Sequence, residues 1–122
     1  MAFGGVSGGA AAAPFLVALE SRIKTAILVS GGTRWKKPPE VDSWNYAPRV
    51  MIPTLMINGR SDFLCPLETS QLPLFRALGT PAKDKKHVLF EGGHATPVAQ
   101  PGLIKAYLDW LDQYLGPVQL RP

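Results

Sequence analysis

Three short segments rich in glycine hold the side chains of this sequence that could do chemistry together. They are Gly5-Val6-Ser7-Gly8-Gly9, Asn58-Gly59-Arg60-Ser61-Asp62 and Glu91-Gly92-Gly93-His94. A serine hydroxyl is a weak nucleophile until a base takes its proton. Histidine is the side chain suited to that task near neutral pH, and a carboxylate can orient the imidazole and stabilise its charged form. The first segment is a G-x-S-x-G pattern between a short apolar stretch and an alanine-rich one. In that setting it describes a tight strand-to-helix turn with tiny flanking residues and the hydroxyl projecting at a helix N-terminus. The backbone N–H of Gly8 then becomes one donor of an oxyanion hole. A phosphate-cradling loop is the competing use of such a turn, but no Gly-Lys-Ser/Thr follows. Taken singly, Asp62 reads as a turn former or helix cap and His94 as a surface histidine. The other of the two histidines, His87, falls within an apolar run, so His94 is the candidate base.

The elements that must position these residues alternate between strand and helix. Ala2 to Gly4 reads as a strand stub. Gly8 to about Glu20 reads as a helix with Ala11, Phe15, Leu16 and Leu19 on one face, kinked or begun at Pro14. Thr25 to Val29 and Thr54 to Ile57 are continuous apolar runs closed by glycine, the signature of buried parallel strands. Thr33 to Pro53 is irregular, and its Trp35, Trp44 and Tyr46 either wall an acyl pocket or pack the segment onto the sheet. Glu68 to Leu78 predicts a helix with Gly79 as its C-cap and Pro73 as a weak point. His87 to Phe90 is a strand, and Pro101 to Leu115 a helix with Ile104, Leu108, Leu111 and Leu115 as its apolar stripe. This succession predicts an α/β sheet of mostly parallel strands, with its ligands at the strands' C-terminal edge.

The whole sequence sets bounds on that chemistry. At 122 residues, 46% hydrophobic and 18% charged, it suits one soluble globular domain. The net charge of +4 is mild. Its basic clusters, Arg34-Trp35-Lys36-Lys37 and Lys83-Asp84-Lys85-Lys86, read as solvated faces, because no recognition helix or RNA-binding aromatic signature accompanies them. Nucleic acid is therefore not an expected partner. One cysteine, Cys65, excludes an intrachain disulfide and a thiolate metal site, and packs as a small apolar residue. The opening Met1 to Leu19 lacks the basic start of a signal peptide, and no stretch has the length of a membrane span, so a cytoplasmic location is the expectation.

Ser7, Asp62 and His94 occur in the triad order of α/β-hydrolases. With them, Ile27-Leu28-Val29-Ser30-Gly31-Gly32 and the strand Pro53-Thr54-Leu55-Met56-Ile57 leading into Asp62 resemble the second half of an α/β-hydrolase. The similarity is to the dienelactone-hydrolase and acyl-peptidase-like group and covers essentially the whole chain. It implies that Ser7 is the nucleophile, His94 the general base and acid, and Asp62 the residue that orients His94. It further implies a carboxylesterase that takes a small ester through an acyl-enzyme, with no metal or cofactor.

Members of that group usually carry four further strands before the elbow, and a loop that supplies a second oxyanion donor. Both are missing from this sequence, so the expected fold is a truncated α/β-hydrolase domain over 1–122, with about three to four strands flanked by helices. Losing one donor typically costs ~10²–10³-fold in rate, which predicts good leaving groups, and a half-size domain has little wall to bury a long acyl chain, which predicts short ones. A weakly active or inactive fragment serving as an interaction piece is the alternative, and a peptidase or acyltransferase could use the same triad. The strand before Ser7 would lie at an open sheet edge, which predicts a homodimer or higher oligomer covering it.

Overall fold

The structure, a computed structural model, describes residues 1–33 and 36–119. Its strands are β1 (Ala2–Val6), β2 (Thr25–Val29), β3 (Thr54–Gly59) and β4 (Lys85–Phe90). They form one fully parallel sheet in the order β1-β2-β3-β4. The helices are α1 (Gly8–Leu19), α2 (Ser43–Tyr46), α3 (Leu72–Ala77), α4 (Thr96–Ala99) and α5 (Pro101–Leu115). Among the described residues no helix is long and apolar enough to cross a membrane.

Every residue of β2 and β3 is buried, as their unbroken apolar runs require of strands covered on both faces. Alternate residues divide between two cores. Ala26, Leu28 and Met56 pack with Ala10, Ala13 and Val17 of α1 and with Leu74 and Leu78. Ile27, Val29, Leu55 and Ile57 pack on the other face with Trp110 of α5. Trp110 also donates its indole N–H to Thr25 Oγ1 at 2.8 Å, and Thr25 in turn donates to the Pro53 carbonyl at 2.9 Å. A buried indole needs such a polar partner, and here it pins α5 to the start of β2.

Several expectations from the sequence are corrected. The stub before Ser7 is a full strand of five residues, in register with β2 along its length. The buried face of α1 is Ala10, Ala13, Pro14 and Val17; Leu16 and Leu19 are exposed. Alanine-sized residues face the sheet because α1 must follow the tight turn at Ser7 and lie close against β2. The α5 stripe is also displaced: Ile104 is 65% and Leu108 55% exposed, and Leu115 is exposed too. The aromatic face, with Leu103, Tyr107, Trp110 and Tyr114, turns to the sheet instead. Its rings cover more apolar surface than the aliphatic stripe could.

The helix expected over Glu68 to Leu78 divides into a wide turn (Leu67–Gln71) and α3. Pro73, with no N–H to give, sits at the start of α3, the place where that loss is harmless. Gly79 is not a left-handed cap. Its N–H donates to the Ala47 carbonyl at 3.1 Å, and a side chain there would meet the Pro48 carbonyl at 2.1 Å. The carbonyls of Phe75 and Leu78 are met by the Lys85 ammonium at 2.8 and 3.0 Å. Lys85 is thus a helix-terminal cap from β4 rather than part of a solvated basic face, and desolvation lowers its pKa.

Candidate active site

Because the sheet is parallel, the loops after β1, β3 and β4 emerge at one edge, and each brings one candidate residue there. Ser7 follows β1 directly and precedes α1, with φ 51° and ψ −108°. That conformation costs a residue with a Cβ of order 1–3 kcal/mol, and it turns the side chain away from the helix axis. The turn closes because Gly5 has no side chain; a Cβ there would lie 2.7 Å from the Gly9 carbonyl carbon. The small size expected of every flanking residue is needed only at Gly5, since Gly8 and Gly9 face open space. Ser7 occupies the cap position of α1 yet makes no capping bond with its side chain. Its hydroxyl donates instead to His94 Nε2 at 2.8 Å.

His94 is delivered by the loop after β4, and its Nδ1–H donates to Asp62 Oδ2 at 2.6 Å. Asp62 is 2% exposed. Its other oxygen accepts the backbone N–H groups of Leu64 and Cys65 at 2.8 and 2.9 Å. Two amides on one oxygen and the imidazole on the other fix the carboxylate's rotation and satisfy a buried charge. The structure therefore places Ser7, His94 and Asp62 in one hydrogen-bonded chain. A chain of this kind can move the serine proton onto the imidazole while the carboxylate stabilises the cation that forms. Gly8 opens α1, so its N–H has no carbonyl one turn back to bond and is free to meet an oxyanion.

In the sequence Ser30 stands out only as part of Ile27-Leu28-Val29-Ser30-Gly31-Gly32, with no role of its own. It is buried, holds φ 53°, and donates its hydroxyl to the His94 carbonyl at 2.7 Å. The signal that could have identified it is Ser30-Gly31-Gly32, a polar residue and two glycines at the strand end next to the elbow. Asp62, Cys65 and His94 also offer one metal-ligating atom each within 4.8 Å of one another. The mutual bond of Asp62 and His94 suits a proton relay better than a metal centre. Cys65 is buried, as expected, with its thiol 3.9 Å from the Ser30 carbonyl.

A cleft of about 810 Å³ is lined by Gly8 and Ala11 of α1, by the segment after β2 and by the start of α3. Ala11, Trp44, Pro73 and Leu74 supply apolar walls, and Lys36 and Lys37 also line it. The two aromatic residues of the irregular segment divide their tasks. Trp44 lines the cleft, whereas Tyr46 packs edge-on against Phe15 of α1 at 5.0 Å. Trp35 and Arg34 lie outside the described residues. Lys36 and Lys37 are exposed, as expected of a solvated face, and they also border the cleft that Gly8 lines.

A parallel sheet carrying a strained serine between strand and helix, with the acid and the histidine after later strands, is an α/β-hydrolase. Within that class, residues 2–105 match the family model described as "Serine hydrolase (FSH1)", and the chain belongs to that family. Among solved structures, it is similar to a cold-adapted esterase from an Arctic intertidal metagenomic library. That likeness has 30% identity and a TM-score of 0.76, covering 93% of this chain and 46% of the other. TT1662 from Thermus thermophilus (22% identity, TM-score 0.73, 95% and 55% covered) shares the fold. So does the acylaminoacyl peptidase of Pyrococcus horikoshii (16%, 0.74, 99% and 25%). The chain spans about half the length of the esterase, 46% by coverage. No curated protein sequence matches it.

Proposed function

We propose that this chain is a carboxylesterase acting on small esters through Ser7, His94 and Asp62. The observation that carries the proposal is the unbroken chain from Ser7 Oγ to His94 Nε2 and from His94 Nδ1 to Asp62 Oδ2, at 2.8 and 2.6 Å. His94 takes the serine proton as Oγ attacks the ester carbonyl, then gives it to the leaving alcohol; water releases the acyl group by the reverse route. Gly8 N–H stabilises the tetrahedral oxyanion. Membership of a serine hydrolase family and the likeness to an esterase support the same chemistry.

The test is hydrolysis of p-nitrophenyl acetate, butyrate and palmitate by the purified chain, with fluorophosphonate labelling of Ser7. Labelling and faster turnover of the short esters are expected. An unlabelled Ser7 and no turnover would favour the second reading, a non-catalytic interaction piece. The proposal includes assembly: a second copy covers the free edge of β1, giving a homodimer or higher oligomer. Among the described residues β1 pairs only with β2, which supports this reading.

A further inference from the structure

The segment that walls the cleft opposite α1 is held in shape by bonds of its own. Asp42 accepts the backbone N–H groups of Lys37 and Trp44 at 3.1 and 3.0 Å. Asn45 donates to the Pro39 carbonyl at 3.1 Å, and Tyr46 donates to the Glu40 carbonyl at 2.6 Å. The Phe15–Tyr46 contact then fastens the segment to α1. The wall is thus a pre-formed surface, and the lysines it carries have a defined place beside the cleft.

The charges along that wall are unequal. Lys36 and Lys37 border the cleft, and among the described residues neither has an ion-pair partner. Among the described residues the one carboxylate in the lining is Asp42, whose two oxygens already accept backbone amides. The cleft therefore joins three features: the oxyanion donor at Gly8, apolar surface from Ala11, Trp44, Pro73 and Leu74, and a cationic wall from Lys36 and Lys37.

We propose that the cleft receives an acyl group with an anion at its far end, so that the preferred substrates are monoesters of short dicarboxylic acids. This rests on the esterase reading and adds the substrate class. Ser7 Oγ bonds to the acyl carbon as the bond to the alcohol oxygen breaks, and His94 passes the serine proton to the departing alcohol. Water then cleaves the acyl-enzyme, releasing a dicarboxylate and restoring Ser7. The lysines take no part in bond making; they hold the distal carboxylate while the apolar surface holds the methylenes. Solvent-exposed ammonium groups are screened, so the expected gain is modest.

The experiment compares p-nitrophenyl hydrogen adipate with p-nitrophenyl methyl adipate, which has a similar chain and no charge, with spontaneous hydrolysis subtracted. The expected result is a kcat/KM higher for the acid by about threefold to tenfold, shrinking in about 0.5 M salt. The double variant Lys36→Ala/Lys37→Ala should bring the ratio of the two esters to about one, whereas Lys36→Arg/Lys37→Arg should keep it. Lys83→Ala, in the turn before β4, should keep it as well. Equal kcat/KM for the two esters in the native chain, or an unchanged ratio in the double alanine variant, overturns this inference and leaves the esterase reading standing. If neither ester is hydrolysed and Ser7 resists the fluorophosphonate, the esterase reading fails and this inference with it.

Discussion

Ser7 and Ser30 both hold a positive φ, 51° and 53°, at positions where an L-residue is strained. Neither strain is relieved by a local bond to the residue's own turn. Each hydroxyl is given to His94 instead, Ser7's to the ring and Ser30's to the backbone carbonyl. Stability and activity should therefore part when these residues change. Ser7→Gly should raise the unfolding free energy by about 1 kcal/mol while abolishing turnover, which thermal melts and p-nitrophenyl ester assays on one preparation can check. Ser7→Ala and His94→Ala should each bring hydrolysis to background, and Asp62→Asn should lower kcat by roughly 10³–10⁴-fold. Wild-type turnover in Ser7→Ala would remove the assignment. Ser30→Gly keeps the backbone and loses only the tie to His94. Its melting temperature should stay close to the native value while kcat falls by about tenfold at unchanged KM, as expected of a positioning residue. An unchanged kcat would make Ser30 merely structural.

At the scale of elements, the join between β3 and β4 determines how the acid meets the histidine. The two strands run in register from Thr54 with Lys85 to Gly59 with Phe90. The pairing continues past their ends, with Arg60 N–H to the Phe90 carbonyl at 2.8 Å and Ser61 N–H to the Gly92 carbonyl at 2.9 Å. The two loops are thus zipped together where Asp62 and His94 leave them. His87 lies within the same ladder, stacked on Phe75 at 5.5 Å and donating Nε2–H to Asn58 Oδ1 at 3.0 Å. Asn58 in turn donates to the Gly31 carbonyl at 2.8 Å, which ties β3 to the end of the β2 strand. Desolvation lowers the His87 pKa from 6.5 to about 4. The unfolded chain therefore binds a proton at His87 over a range where the native chain does not. Stability is intact above about pH 6.5 and is lost as the pH falls towards about 4. Because the ring is only partly buried, the loss should be well below the ~3 kcal/mol that such a shift would represent in full. Urea unfolding at a series of pH values should show a smaller acid loss in His87→Gln than in the native chain. Parallel curves for the two would exclude His87 as the cause.

For the molecule as a whole, the open side of β1 matters most. Parallel strands usually lie inside a sheet, yet among the described residues β1 pairs only with β2. Met1, just before the strand, and Val6, its last residue, are exposed. A second copy that pairs along this edge would satisfy the free backbone groups and place another chain beside Ser7. Sedimentation equilibrium at micromolar concentration should give a mass of at least twice 13.2 kDa. A fully active species of 13.2 kDa would refute the assembly.

The sequence alone determined the alternation of strands and helices, the direction of the sheet and the segments bearing Ser7, Asp62 and His94. These are legible because unbroken apolar runs, glycine stops and loop position follow from backbone chemistry that acts locally. It could not decide which face of α5 is buried. Aliphatic residues and rings occupy overlapping stripes of that helix, and only the sheet it meets selects the larger rings with a partner for the indole. Nor could it reveal Ser30, whose role depends on a carbonyl 64 residues away. Lys85 and Lys36 belong to similar basic clusters, yet one caps α3 and the other borders the cleft. A charge pattern records which groups are present, whereas their surroundings arise only when distant segments pack. The contact of Ser7 with His94 is the same kind of fact: the spacing allowed it, and the parallel register of four strands brought the two within 2.8 Å.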